Sequence, residues 1–135
     1  MAAVSSTYAR NLDYVKSVLL ADDSAVVRKA TREIFEESGW SVCAEVADGQ
    51  EAIYKAQQLR PDVIVLDFSM PTMNGLTAGR ILKDLLPETP LILFTSYGKI
   101  LPPADLERAG FSALIDKHEA GRLVTTAQSL INAAQ

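Results

Sequence analysis

Five short apolar runs alternate with longer stretches in which apolar residues recur every three or four positions. The runs fall at 18–21, 41–46, 63–66, 91–94 and 113–115. Val63-Ile64-Val65-Leu66 is unbroken and rich in β-branched residues. Such a run predicts a strand buried on both faces of a parallel sheet. The intervening stretches predict helices. The first follows Asp23, with Val27, Ala30 and Ile34 on one face and Gly39 as its stop. The second spans 49–59, with Ala52, Ala56 and Leu59 inward and Pro61 beyond its end. The third spans 75–86, with Leu76, Ile81, Leu82 and Leu85 as core candidates before Pro87. Pro102-Pro103 can only start a helix, so the fourth is short, 104–109. The fifth carries Leu123, Val124, Ala127, Leu130 and Ile131 inward. Regular strand–helix alternation implies right-handed crossovers and a parallel sheet covered by helices on both faces. The expected organisation is one α/β domain over 17–135, preceded by an extension, 1–16. That extension reads as a tail or as a short helix using Tyr8, Leu12 and Val15.

The strand ends carry the chemistry. Two apolar runs stop abruptly in carboxylates, Asp67 after one and Asp22-Asp23 after the other. Thr95 and Lys117 follow two more. Open α/β folds place ligands at this edge of the sheet. Three carboxylates in one crevice repel each other, by about 4 kcal/mol per pair at 4 Å and an effective dielectric near 20. A proton, a cation such as Lys117 or a metal must compensate. Oxygen-only ligands with no His or Cys nearby suit a hard divalent ion rather than zinc. Mg²⁺ commonly serves phosphoryl chemistry. Asp67 can act as a nucleophile towards phosphorus. The metal and Lys117 would neutralise the developing charge, and Thr95 can donate its hydroxyl to a phosphoryl oxygen. Singly, each residue has an ordinary explanation as a cap, a turn residue or a surface charge. Their arrival one per strand end is what points to a site.

Composition narrows the classes. The 135 residues suit one domain with a real core, and 48% are hydrophobic. The net charge is −4, and no stretch concentrates Lys and Arg, which disfavours nucleic-acid binding by this chain. No apolar run approaches the roughly 20 residues of a membrane span. Cys43 is the single cysteine and lies in an expected strand, so it reads as an inert thiol in a reducing, cytoplasmic setting.

From about Ser17 onward the sequence resembles receiver domains of two-component response regulators. The resemblance rests on Leu19-Leu20-Ala21-Asp22-Asp23, Ala47-Asp48-Gly49-Gln50-Glu51-Ala52 and Pro61-Asp62-Val63-Ile64-Val65-Leu66-Asp67, continued by Ser69-Met70-Pro71-Thr72-Met73-Asn74-Gly75-Leu76. It implies a flavodoxin-like (βα)5 three-layer sandwich with a five-stranded sheet in the order 2-1-3-4-5. It further implies that Asp67 accepts the phosphoryl group. Mg²⁺ would sit among Asp22, Asp23, Asp67 and the backbone carbonyl of Ser69. Thr95 would be the switch hydroxyl and Lys117 the phosphoryl-binding cation. The implied donor is a phosphohistidine on a sensor histidine kinase or a histidine phosphotransfer protein. The implied output is a downstream protein target, or a homodimer through the face made by the fourth helix, fifth strand and fifth helix.

Two positions depart from the family. Leu114 stands where the family usually has a Tyr or Phe that turns inward on activation. Tyr97, two residues past Thr95, is a possible substitute, and otherwise a partly exposed loop residue. His118 follows the lysine where many receivers have Pro, so a trans peptide bond is expected there. This non-Pro residue and the segment from Ser69 to Leu76 are closest to receivers that precede a helix-turn-helix DNA-binding domain. Two other functions compete: a binding module that is never phosphorylated, and an aspartyl-phosphate phosphatase. The intact set of five site residues opposes the first. The second requires an Asp two residues after the nucleophile, where this chain has Ser69.

Overall fold

The computed structural model describes residues 14–134. Five strands, β1 (Ser17–Ala21), β2 (Ser41–Val46), β3 (Val63–Leu66), β4 (Leu91–Thr95) and β5 (Ala113–Asp116), form one sheet. Their order is β2-β1-β3-β4-β5, and every pairing is parallel. The helices are α1 (Ala25–Glu37), α2 (Gly49–Leu59), α3 (Gly75–Leu85), α4 (Pro103–Arg108) and α5 (Leu123–Ala134). The parallel sheet is the one that the alternating pattern predicts, and its flavodoxin-like order is the one that the family resemblance implies.

The two faces of the sheet follow the two-residue period of a strand. On one face Val18, Leu20, Val63, Val65, Ile92 and Phe94 pack with Phe35 and Trp40, and with Leu123, Ala127 and Ile131 of α5. On the other, Leu19, Ile64, Leu66 and Leu91 pack with Ala52 and Ala56 of α2 and Ala78 and Leu82 of α3. Side-chain caps fix the helix starts, and so the strand-end loops. Ser24 accepts from Val27 N, Asp48 from Glu51 N and Asn74 from Thr77 N.

The inward faces differ in part from the expected ones. Helix α1 turns Thr31 and Phe35 inward, with Val27 and Ile34 half-buried and Ala30 exposed. The buried row steps by four, from 27 to 31 to 35. Polar Thr31 is tolerated because its Oγ1 donates to the Val27 carbonyl at 2.8 Å. In α3 the row is Ala78, Leu82 and Leu86, whereas Leu85 is exposed and Leu76 and Ile81 are half-buried. Leu59 is exposed at the end of α2, where Arg60 adopts a left-handed conformation (φ 47°) and turns the chain away. Tyr8 and Leu12 lie outside the described residues. Val15 is exposed and belongs to no helix.

At the N-terminal edge of β3, Asp62 ties down the chain before β1. Its carboxylate accepts from Tyr14 Oη at 2.6 Å and from Ser17 N at 2.8 Å. Cys43 is half-buried, with Sγ 3.4 Å from the Val18 carbonyl, and burial pushes its thiol pKa up. Among the described residues no helix is long and apolar enough to cross a membrane.

Candidate functional site

Parallel strands bring their C-terminal ends to one edge, so a residue just after each strand is presented there. Asp22 and Asp67 follow β1 and β3, which are neighbours in the sheet. Both are anchored through their own amides: Asp22 N donates to the Val46 carbonyl at 3.0 Å, and Asp67 N to the Ala21 carbonyl at 2.9 Å. Both residues are buried, at 5% and 4% exposure. Asp23 is exposed at the rim. One carboxylate oxygen from each of Asp22, Asp23 and Asp67 lies within 4.8 Å of the other two.

Lys117, just past β5, reaches into this cluster. Its Nζ donates to Asp67 Oδ2 at 3.1 Å and lies 2.8 Å from Asp22 Oδ2. The second contact is an ion pair without hydrogen-bond alignment, for Asp22 Oδ2 has no aligned donor. The remaining oxygens are held by backbone amides: Ser24 N donates to Asp22 Oδ1 at 2.9 Å, and Phe68 N to Asp67 Oδ1 at 2.7 Å. Three carboxylates thus face one ammonium. Burial raises the pKa of Asp22, aided by the nearby Asp67 charge and opposed by Lys117 and the Ser24 amide. Burial alone would lower the pKa of Lys117, but the Asp22 and Asp67 carboxylates outweigh it and hold it above its ordinary value.

The donor set fits Mg²⁺. It is all oxygen, it carries surplus negative charge, and it includes a buried oxygen with no aligned donor. Two oxygens bound to one Mg²⁺ lie no more than about 4.2 Å apart, so side-chain rotation closes a 4.8 Å spread.

Thr95 ends β4, fully buried, and its Oγ1 accepts from Tyr97 N at 3.2 Å. It makes no hydrogen bond to Asp67 among the described residues. Ser69 is exposed in the loop after β3. Glycine shapes that loop: a Cβ on Gly75 would lie 2.1 Å from the Asp67 carbonyl oxygen, so only glycine permits this approach. Thr72 sits at φ 68°, and Met73 N donates to the Pro71 carbonyl at 2.6 Å, closing a tight turn around it.

Leu114 is partly exposed on β5, and its side chain packs over Gly98. Beside it lies an open cavity of about 440 Å³ bounded by Gly98, Lys99, Leu114, Asp116, His118 and Glu119. Tyr97 is half-exposed, with its ring edge-on to Phe68 at 6.1 Å. His118 is exposed, and its amide donates to Asp116 Oδ1 at 2.8 Å in a 3₁₀ turn after a trans peptide bond.

Sequence reasoning missed Arg28. Its guanidinium Nη1 donates to the Asp22 carbonyl, and its Nε lies 3.7 Å from Glu45 Oε1 on β2. Arg32, one turn further along α1, pairs with the same carboxylate. The spacing of Arg28 and Arg32 by four was the available signal, but their target lay 13 residues or more away.

The family model described as "Response regulator receiver domain" matches residues 18–128. The chemotaxis protein CheY of Thermotoga maritima is 31% identical over 102 residues, 76% of this chain and 85% of that protein. A protein-glutamate methylesterase/protein-glutamine glutaminase of Archaeoglobus fulgidus is 44% identical over 82 residues, 61% of this chain. The match spans 23% of the length of that relative. The solved structure of the CheX-CheY-BeF3-Mg²⁺ complex from Borrelia burgdorferi superposes with a TM-score of 0.80 at 26% identity, covering 85% of this chain and 88% of that one.

Proposed function

Because this chain belongs to the response regulator receiver family, we propose that it works as a switch by taking a phosphoryl group onto Asp67. The observation that carries the assignment is the setting of Asp67. It is a buried carboxylate with one oxygen on the Lys117 ammonium and two further carboxylates within reach. The receiver spans 17–135, and 1–16 are an extension to it.

The donor is a phosphohistidine of a sensor histidine kinase or histidine phosphotransfer protein. An Asp67 carboxylate oxygen attacks the phosphorus as the P–N bond breaks. The bonding pair goes to the imidazole nitrogen, which leaves neutral when the ring is protonated at its other nitrogen. The product is an acyl phosphate on Asp67, and attack of water on its phosphorus later restores the carboxylate. Asp22, Asp23, Asp67 and the Ser69 carbonyl would hold Mg²⁺, which offsets negative charge on the transferring group. Lys117 stays protonated and meets the phosphoryl oxygens from the β5 side. Thr95 exchanges its bond from Tyr97 N for a contact to the phosphoryl group. The backbone amides on Asp22 and Asp67 hold one oxygen of each carboxylate in place, which limits the reorganisation that cation binding needs.

The added charge, about −1.5 to −2 at neutral pH, draws Thr95 and Lys117 inward and moves the segment after β4. Output is a protein partner, or a second copy of this chain, on the face of α4, β5 and α5, in the cytoplasm and without nucleic acid or membrane. The BeF3 and Mg²⁺ named for the Borrelia complex support this reading of the pocket. The methylesterase and glutaminase activities named for the Archaeoglobus relative belong to a protein of which this chain matches 23%, and they are not assigned here.

Beryllofluoride with Mg²⁺ tests the reading by NMR. Wild type should shift at Asp67, Thr95, Lys117, Tyr97 and residues 100–115, whereas Asp67→Asn should not respond. Equal responses in both proteins contradict the assignment of Asp67. A wild-type response confined to the neighbours of Asp67 contradicts propagation to the output face.

A further inference from the structure

We propose that Arg28 is a positioning residue for Asp22, setting the affinity of the acidic pocket for its cation by geometry rather than by charge. The proposal rests on the reading of that pocket as a Mg²⁺ site. Arg28 is one turn into α1, and its side chain is only 19% exposed. Its Nη1 donates to the backbone carbonyl of Asp22. Asp22 N is already fixed on the Val46 carbonyl at 3.0 Å. The peptide groups on either side of Asp22 are therefore both held, and the direction of its side chain follows from that.

A second observation converges on the same pair. Beneath the carboxylates lies a cavity of about 10 Å³ whose walls include Asp22, Val27, Arg28, Thr31, Asp67 and Phe94. Among the described residues, the two buried side-chain polar atoms without a hydrogen-bond partner are Asp22 Oδ2 and Arg28 Nε. Both belong to residues that line this cavity. A volume of this size holds one water, and a water there needs two or more polar partners. The Asp22 oxygen and the Arg28 Nε–H supply one acceptor and one donor.

Glu45 keeps the guanidinium in place. It stands on β2 opposite Leu20 of β1 and draws both Arg28 and Arg32. Arg32 partners the Glu45 charge on the solvent side, which leaves the fork of Arg28 for Asp22. Lysine would keep the charge but has neither an Nε–H donor nor a planar fork.

Charge and geometry predict opposite signs. A cation beside the pocket repels Mg²⁺, so by charge alone Arg28→Gln would tighten Mg²⁺ binding and Arg28→Lys would leave it unchanged. As a positioning residue, Arg28 supports a ligand, and loss of such support weakens metal affinity by about 10- to 100-fold. The test is calorimetric titration of Mg²⁺ into wild type, Arg28→Lys, Arg28→Gln and Arg32→Lys, at a temperature where thermal melts show all four folded. The Asp22 carbonyl ¹³C shift is read in the metal-free proteins. We expect about tenfold weaker binding in both Arg28 variants, a moved Asp22 carbonyl signal, and wild-type affinity in Arg32→Lys. Arg28 variants within about twofold of wild type, or tighter, overturn the proposal while leaving the metal site standing. Equal weakening in Arg32→Lys also overturns it, since a general loosening of α1 would then explain the effect. Wild type that binds no Mg²⁺ overturns the reading of the pocket, and this role for Arg28 with it.

Discussion

Two aspartates bracket the same strand and have opposite surroundings. Asp62 precedes β3, and Asp67 follows it. Asp62 is served by neutral donors: the Tyr14 hydroxyl, the Ser17 amide and, at 3.4 Å, the Ser17 hydroxyl. Asp67 is buried against Asp22 and Asp23, with one ammonium for three carboxylates. The first arrangement ties down a chain and is complete. The second leaves negative charge unbalanced in a buried pocket, which is costly for a fold and useful for binding a cation and a phosphoryl group. The two acids that flank β3 are therefore distinguished by what surrounds them, not by residue type: Asp62 is half-buried among neutral donors, Asp67 buried among like charges.

The sharpest way to break the Asp67 end without touching a carboxylate is Gly75→Ala. The added Cβ would meet the Asp67 carbonyl oxygen at 2.1 Å, and backbone on both sides must move. Urea denaturation should show a loss of about 3 kcal/mol, the upper range for overpacking. At the other end, Asp62→Asn removes the charge from the bonds to Tyr14 and Ser17. It should lower stability by about 1.5 kcal/mol while phosphoryl acceptance persists. A silent Asp67 in that variant would erase the contrast between the two acids.

Asp22→Asn should act in the opposite direction and stabilise the metal-free protein by about 1 kcal/mol, as release from burying that charge, aided by less repulsion from Asp67, exceeds loss of the Lys117 pair. The pH dependence carries the same signature. The folded-state pKa of Asp22 is raised, so between its unfolded value, about 3.9, and that raised value the folded protein holds more protons. Asp22 therefore makes stability fall as pH rises through that window. Melts of wild type and variant across mildly acidic pH should diverge accordingly, and added Mg²⁺ should stabilise wild type alone.

The smallest effect belongs to Tyr14→Phe. The Tyr14 pKa is pushed up to about 12, first by its hydrogen bond to Asp62. A raised folded pKa means the contribution is complete below the ordinary tyrosine value near 10 and is lost as pH climbs towards 12. Because Tyr14 is largely exposed, the variant should lose only a few tenths of a kcal/mol at neutral pH. Its stability should also lack the alkaline decline of wild type.

The strands were legible because each is an apolar run closed by a turn residue or a charge, and parallel strands put their ends on one edge. That rule alone brought Asp22, Asp67 and Lys117 together. Features that depend on distances between elements were not legible. The inward face of α1 was misjudged because Val27, Ala30 and Ile34 make the more apolar row, whereas packing chose the row that runs through polar Thr31 to Phe35. The leucines at 59 and 85 read as core, yet Ala52, Ala56, Ala78 and Leu82 already fill the helix–sheet contact. Arg28 was missed, since the carbonyl that it holds carries no sequence signature. The partnership of Tyr14 and Asp62, 48 residues apart, is invisible until β1 and β3 pair.

The most direct test is to locate the phosphoryl group itself. Wild type, Asp67→Asn and Asp62→Asn would be incubated with acetyl phosphate and Mg²⁺, and the acyl phosphate trapped with borohydride and mapped by peptide mass spectrometry. One modification at Asp67 is expected in wild type and in Asp62→Asn, and none in Asp67→Asn. A phosphoryl group found on another carboxylate of wild type, or a wild type that takes none at millimolar Mg²⁺, would contradict the assignment.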